Sequence, residues 1–123
     1  MNICHIPISL GELYDKYSIL LIKSKKITNE QKLIGINKEI SFLKPFIDKF
    51  ILNDELYEKI KLVNEKLWVI EDEIREKENK NEFDNDFIQL ARLVYKTNDL
   101  RAKIKEEINK FLNSEINEIK SYV

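Results

Sequence analysis

From Leu56 to Ile74 the apolar residues return at steps of three and four without a break: Leu56, Ile60, Val63, Leu67, Ile70 and Ile74. That spacing keeps one face of an α-helix apolar along its length and is the pattern of a helix packed in coiled-coil fashion. A strand would alternate at every second residue, so a β assignment fails here. Three other segments carry the same spacing. Only two glycines and two prolines occur in 123 residues, so little in the chain interrupts a helix. The expected fold class is all-α: a single domain over residues 1–123, an antiparallel helical bundle of three to four helices built on a long helical hairpin.

Capping residues set the boundaries. Residues 2–8 alternate loosely around Ile3, Ile6 and Ile8, and Pro7 keeps the backbone extended, so a short N-terminal extended segment or strand is expected. Ser9 and Glu12 form a capping box, with Ile8 and Leu13 placed as a hydrophobic staple, and open a helix over 9–26. Leu10, Leu13, Tyr17 and Leu20 are its apolar stripe. Thr28 with Gln31 offers a second box for a helix over 29–51 on Leu33, Ile36, Ile40, Leu43, Ile47 and Phe50; Pro45 inside it predicts a kink or a break. Asn53 or Asp54 caps the third helix, over 54–80. Lys77 to Glu82 contains no apolar residue and reads as the hairpin turn. The fourth helix, over 84–112, rests on Phe87, Leu90, Val94, Ile104, Ile108 and Phe111, and Asn113 is a suitable stop. The tail, 113–123, is expected to be a turn of helix or a short strand. The first two helices are expected to pack on the hairpin made by the last two.

Composition narrows the function classes. The chain is 35% charged but 43% hydrophobic, too apolar for disorder. A net charge of −1 supplies no long-range field for nucleic acid or an anionic membrane, so neither is expected as a partner. The longest apolar run within a helix, Ile19 to Ile22, falls far short of the ~20 residues of a membrane span. No basic region followed by an apolar stretch opens the sequence, and the lone Cys4 cannot form an intramolecular disulfide. The expected location is the cytoplasm.

Few residues offer chemistry. His5 is the only histidine and belongs to no visible triad. Cys4 beside it cannot complete a tetrahedral metal site, and both are read as filling the N-terminal strand. Gly11 and Gly35 lie in helical pattern and make no phosphate loop. Carboxylates three apart occur at Glu12/Asp15, Glu55/Glu58, Glu73/Glu76 and Glu115/Glu118, a spacing that some all-helical nucleotide pyrophosphohydrolases use to hold Mg²⁺. On a helical wheel, however, Glu12 and Asp15 point away from their core stripe, as do Glu55, Glu58, Glu73 and Glu76, so convergence on one ion is not expected. No metal and no cofactor is expected.

A polar stripe is more unusual. Tyr57, Asn64, Trp68, Glu71 and Arg75 flank the core stripe of the third helix, while Thr97 and Arg101 lie within the apolar arc of the fourth and Asn98 at its edge. A turn near residue 82 sets Arg101 and Asn98 near Asn64, and Arg92 near Glu71 and Asp72. An arginine placed among apolar residues needs partners, so these groups are expected to form a network. Two readings stand: polar residues that fix helix register, or a pocket for a protein partner or small anionic ligand lined by Trp68, Asn64, Glu71, Arg75 and Arg101. In the first helix Ile19 and Ile22 lie opposite the core stripe; with Phe42 and Phe46, also off-stripe, they predict self-association as a homodimer.

Three motifs resemble a known family. Ile6-Pro7-Ile8-Ser9-Leu10-Gly11-Glu12-Leu13 with Asp15-Lys16 and Ile19-Leu20, then Asn64-Glu65 with Leu67-Trp68, Ile70-Glu71-Asp72 and Ile74-Arg75, then Phe87-Ile88, Leu90-Ala91-Arg92, Val94-Tyr95, Thr97-Asn98-Asp99 and Arg101-Ala102 are similar to those of an uncharacterised bacterial domain-of-unknown-function family of short all-helical proteins. The resemblance covers nearly the whole chain except Phe42 to Asp54. It implies an all-helical fold and no established activity, cofactor or substrate. Some members occur with sugar-transfer or surface-polysaccharide enzymes. The function expected is a helical interaction or accessory module that self-associates, with a link to polysaccharide or sugar-transfer pathways. The alternative is a small all-α enzyme, metal-dependent and pyrophosphohydrolase-like or chorismate-mutase-like, with its site in the bundle core.

Overall fold

The structure, a computed structural model, describes residues 1–121; the end of the predicted tail, Tyr122 and Val123, lies outside the described residues. Four helices are present, α1 (Leu10–Lys26), α2 (Glu30–Lys49), α3 (Asp54–Asn79) and α4 (Asn85–Phe111), and no strand among the described residues. The all-α bundle expected from the apolar spacing is what forms. Met1 to Ile8 is irregular, and Cys4 and His5 are exposed rather than filling a strand.

Each helix starts on a side-chain cap that satisfies one orphan backbone donor. Ser9 Oγ accepts from the Glu12 amide at 3.1 Å, Asn53 Oδ1 from Leu56 at 2.8 Å and Asp84 Oδ1 from Phe87 at 3.0 Å. For α2 the cap is Asn29, whose Oδ1 accepts from Lys32 at 3.0 Å, one residue later than the expected Thr28 box. α2 also runs through Pro45 to Lys49 without ending. Both hairpin helices close on an asparagine in the left-handed region, Asn81 (φ 55°) and Asn113 (φ 54°). In each, the following amide bonds back to the helix: Glu82 N to Lys77 O at 2.9 Å, Ser114 N to Asn109 O at 2.8 Å.

α3 and α4 form the main antiparallel seam, and toward its open end lie Ile60 and Ile108, the large side chains most completely buried among the described residues. Full burial of such a side chain contributes about 1.5–3 kcal/mol. The heptad stripe is the core as expected: Leu56, Ile60, Val63, Leu67 and Ile70 are all buried. α1 lies across this hairpin and packs against α2, α3 and α4. α2 packs on α1 and forms no seam with α3 or α4, contrary to the expectation that both early helices rest on the hairpin. Its only buried residue is Ile47, which joins the core with Leu52 of the following linker.

The linker is held by a single hydroxyl. Tyr14 Oη accepts from the Leu52 amide at 3.1 Å and donates to the Phe50 carbonyl at 2.5 Å, with the Ile47 carbonyl at 3.3 Å. Burial pushes the Tyr14 phenol above its usual value, with the hydrogen bond from Leu52 acting against it. The Tyr14 ring meets Tyr57 edge to face, centroids 6.2 Å apart. The hairpin turn is tied by Lys77, whose ammonium reaches Asp84 at 2.9 Å and Glu82 at 3.0 Å; these bonds hold it well above the usual lysine value.

Candidate functional site

α1 carries the residue around which the interior polar groups collect. Asp15 is only 4% exposed, although a helical wheel built on one apolar stripe points it outward. The reason is topological. With neighbours on three sides, α1 has little outer face, and its polar flank is turned into the seam with α3 and α4. Asn64 Nδ2 donates to Asp15 Oδ1 at 2.9 Å and to Ser18 Oγ at 2.7 Å. Ser18 Oγ in turn donates to the Asp15 carbonyl at 2.8 Å. Arg101 Nε stands 3.9 Å from Asp15 Oδ1, and Lys105 Nζ stands 3.9 Å from Asp15 Oδ2.

Lys105 is the second centre. It is 7% exposed, and its ammonium bonds Glu12 at 2.6 Å and Glu118 of the tail at 3.1 Å. Burial alone would lower its pKa; the hydrogen bonds it donates to Glu12 and Glu118 outweigh that and hold it above the usual lysine value. Glu118, held by Lys120 and Lys105, is pushed below the usual carboxylate range. Glu12 and Asp15 therefore do converge, against the wheel, and the group between them is the lysine ammonium.

Close approach of α1 to α4 makes this possible. A Cβ on Gly11 would lie 2.9 Å from Asn109 Oδ1 and closer still to the Lys105 carbonyl oxygen, so only glycine fits. In its place the Gly11 amide donates to Asn109 Oδ1 at 2.6 Å, and the Leu10 amide donates to Ser114 Oγ at 3.1 Å. Three successive amides at the start of α1 are thus satisfied by Ser114, Asn109 and Ser9.

Of the predicted polar stripe, Asn64 and Arg101 reach this cluster, both through Asp15 and not through each other. The rest stays apart. Trp68, Glu71 and Asn98 are half-buried, and Asp72, Arg75 and Arg92 are exposed. Arg75 pairs with Glu71 one turn earlier at 3.4 Å, and no hydrogen bond or ion pair joins Arg92 to Glu71 or Asp72 among the described residues. The self-association group also divides: Ile22 is buried within the chain and Ile19 half-buried, while Phe42 and Phe46 are exposed on α2. Ile22 is therefore an interior residue rather than part of an outer face. Helical spacing places Asp15 on the outside, where the structure buries it, and Ser18, Lys105 and Asn109 went unread. The signal that could have found them is Gly11 in a first helical turn, where a helix former was free to stand, together with polar Lys105 and Asn109 one turn apart.

No group of three or more His, Cys, Asp or Glu side chains able to hold a metal ion occurs among the described residues. No buried side-chain nitrogen or oxygen is left without a partner among the described residues. Among the described residues, no helix is long and apolar enough to cross a membrane. No family model, curated protein or solved structure matches the chain.

Proposed function

We propose that this chain is a helical interaction module whose interior polar cluster locks α1 onto the hairpin and whose outer surfaces do the binding. The observation that carries it is the closure of the cluster: Asp15, Ser18, Asn64 and Lys105 spend their hydrogen bonds on one another and on Glu12 and Glu118. A site built to bind a small acid would hold its arginine free in a cavity. Here Arg101 is turned toward Asp15. The outer surface, by contrast, carries large apolar side chains with nothing over them, on α2 at Phe42 and Phe46 and on the hairpin at Leu62, Val69, Leu93 and Leu100. Exposed apolar residues grouped on one face mark interaction sites. The motif resemblance makes sugar-transfer or surface-polysaccharide enzymes the partner class to try first, in an accessory role.

A photo-crosslinking residue placed at Leu62 or Leu100 in the producing cells tests this. Protein adducts are expected from both positions and none from the exposed control Asp72 on the opposite flank of α3. Equal labelling from all three, or from none, overturns the proposal.

A further inference from the structure

The hairpin face turned away from α1 has a second seam of its own. Along α3, Glu55, Lys59, Leu62, Lys66, Val69, Glu73 and Lys77 follow one another at steps of four and three, in parallel with the buried stripe. Along α4, Leu93 and Leu100 stand one heptad apart beside them. These four aliphatic residues remain 53% (Leu62), 49% (Val69), 38% (Leu93) and 48% (Leu100) exposed. A heptad-spaced apolar row on a formed helix is what another helix pair covers.

Charge identifies the occupant. Toward the open end of the hairpin the face holds a groove of about 400 Å³ lined by Leu62, Leu100, Lys59, Lys66 and Lys103 with the single acid Glu107. Toward the turn it holds one of about 530 Å³ lined by Leu90, Leu93 and four acids, Glu73, Glu76, Glu82 and Asp86, against Lys77 and Lys80. One groove is basic and the other acidic, on one face of one chain. The order along α3 has the same property: Lys59 and Glu73 are equidistant from Lys66, and so are Glu55 and Lys77.

We infer that this face is covered by a second copy of the chain, packed antiparallel about a two-fold axis that passes beside Lys66. The inference rests on the interaction reading above and names its partner. In that arrangement Leu62 meets the other copy's Val69 layer, the basic groove lies on the acidic one, and Lys59 faces Glu73 twice over. Glu73 makes no ion pair within the chain among the described residues, whereas Lys59 is shared between Glu55 at 3.6 Å and Glu107 at 3.5 Å. A parallel arrangement would set acid on acid and base on base. Lys66 and Lys96 lie beside the axis and meet their own counterparts; their flexible stems carry the ammonium groups outward to water. The completed assembly is a four-helix core of two hairpins, with α1 and α2 of each copy on the outside.

Sedimentation equilibrium on the full chain reads the outcome, with circular dichroism confirming that each variant is folded. A dimer is expected at micromolar concentration. Leu62→Glu with Leu100→Glu should weaken it by at least about a hundredfold, because four carboxylates enter one apolar seam. Lys59→Glu and Glu73→Lys should each weaken it by about threefold to tenfold, and the double variant should recover most of that loss. Phe42→Glu, on α2, should leave it unchanged. A monomer at hundred-micromolar concentration overturns the inference, as does a dimer indifferent to Leu62→Glu with Leu100→Glu or broken by Phe42→Glu. Failure of the double swap to recover overturns the antiparallel arrangement. A monomer that still forms adducts with another protein from position 62 leaves the interaction module standing and removes the second copy alone.

Discussion

Asn64 of α3 and Asp15 of α1 meet through a 2.9 Å hydrogen bond inside the bundle, where the neighbouring cations of Arg101 and Lys105 stand 3.9 Å from the same carboxylate. This contact sets where along the hairpin α1 can sit, because one turn of slippage would leave a buried carboxylate facing apolar side chains. Removing one member of such a buried group exposes the others to the interior without partners. Asp15→Ala should therefore lose about 3–5 kcal/mol in urea unfolding. Arg101→Met, at the solvent-facing edge of the cluster, should stay within about 1 kcal/mol of the wild type. Equal losses for both would show that the arginine, not the Asn64 contact, holds the cluster.

At Gly11 the two helices are too close for a side chain. Gly11→Ala would ordinarily stabilise a helix, by removing glycine's flexibility. Here the added carbon meets the Lys105 carbonyl and the Asn109 amide oxygen, so a loss of about 1–3 kcal/mol is expected in thermal unfolding. Gly35, with nothing near its Cβ position, is the control, and Gly35→Ala should raise stability by about 0.5–1 kcal/mol.

Tyr14→Phe removes a hydroxyl that serves the α2–α3 linker in both directions. The Leu52 amide is then left buried without an acceptor, a loss of about 1–3 kcal/mol. Hydrogen exchange should show faster opening confined to residues 47 to 52 before any change in α3 or α4.

The pH profile should be limited at both ends. Glu118 has its folded-state pKa below the ordinary 4.5, so its contribution is present above that value and is lost as the pH falls further. Lys105 has its folded-state pKa above the ordinary 10.5, so its contribution is complete below that value and fades as the pH rises through the shifted one. Burial of Tyr14 adds to the alkaline loss in the same direction. Unfolding midpoints measured across pH should show Glu118→Gln flattening chiefly the acid limb and Lys105→Met chiefly the alkaline limb, each with a smaller effect on the other limb because the two groups share a hydrogen bond.

How far the sequence reaches is seen by comparing α3 with α1. α3 packs chiefly along α4, with α1 on one flank, so its apolar stripe, its Asn53 cap and its end at the polar turn are all legible from spacing. The Ser9 and Asn113 signals are legible too, since caps are local. α1 is different. It has three helical neighbours, and a wheel with one core direction places outward Asp15 and Ile22, which those neighbours bury. The polar stripe on α3 is legible from spacing and points to α4, the sequence neighbour, whereas Asn64 turns to α1. Which helix covers which flank is decided by packing between distant segments, and that information is not in any one helix's spacing. Pro45 does not break α2: proline lacks an amide donor, but on an exposed helix the carbonyl it frees can turn to water, and α2 continues.

The bond from the Gly11 amide to Asn109 spans 98 residues. Its partners belong to opposite ends of the described chain, and the Ser114 contact to Leu10 is longer still in sequence. During synthesis, at roughly 5–20 residues per second, α1 emerges before α4 and waits several seconds for the helix that receives it. Until α4 arrives, Lys105 is absent and the amides at the start of α1 have only Ser9 as a cap. A helix made before the other three is thus among the last of the four to settle, and a nascent chain stalled short of Asn109 would hold α1 loose beside an unfinished hairpin.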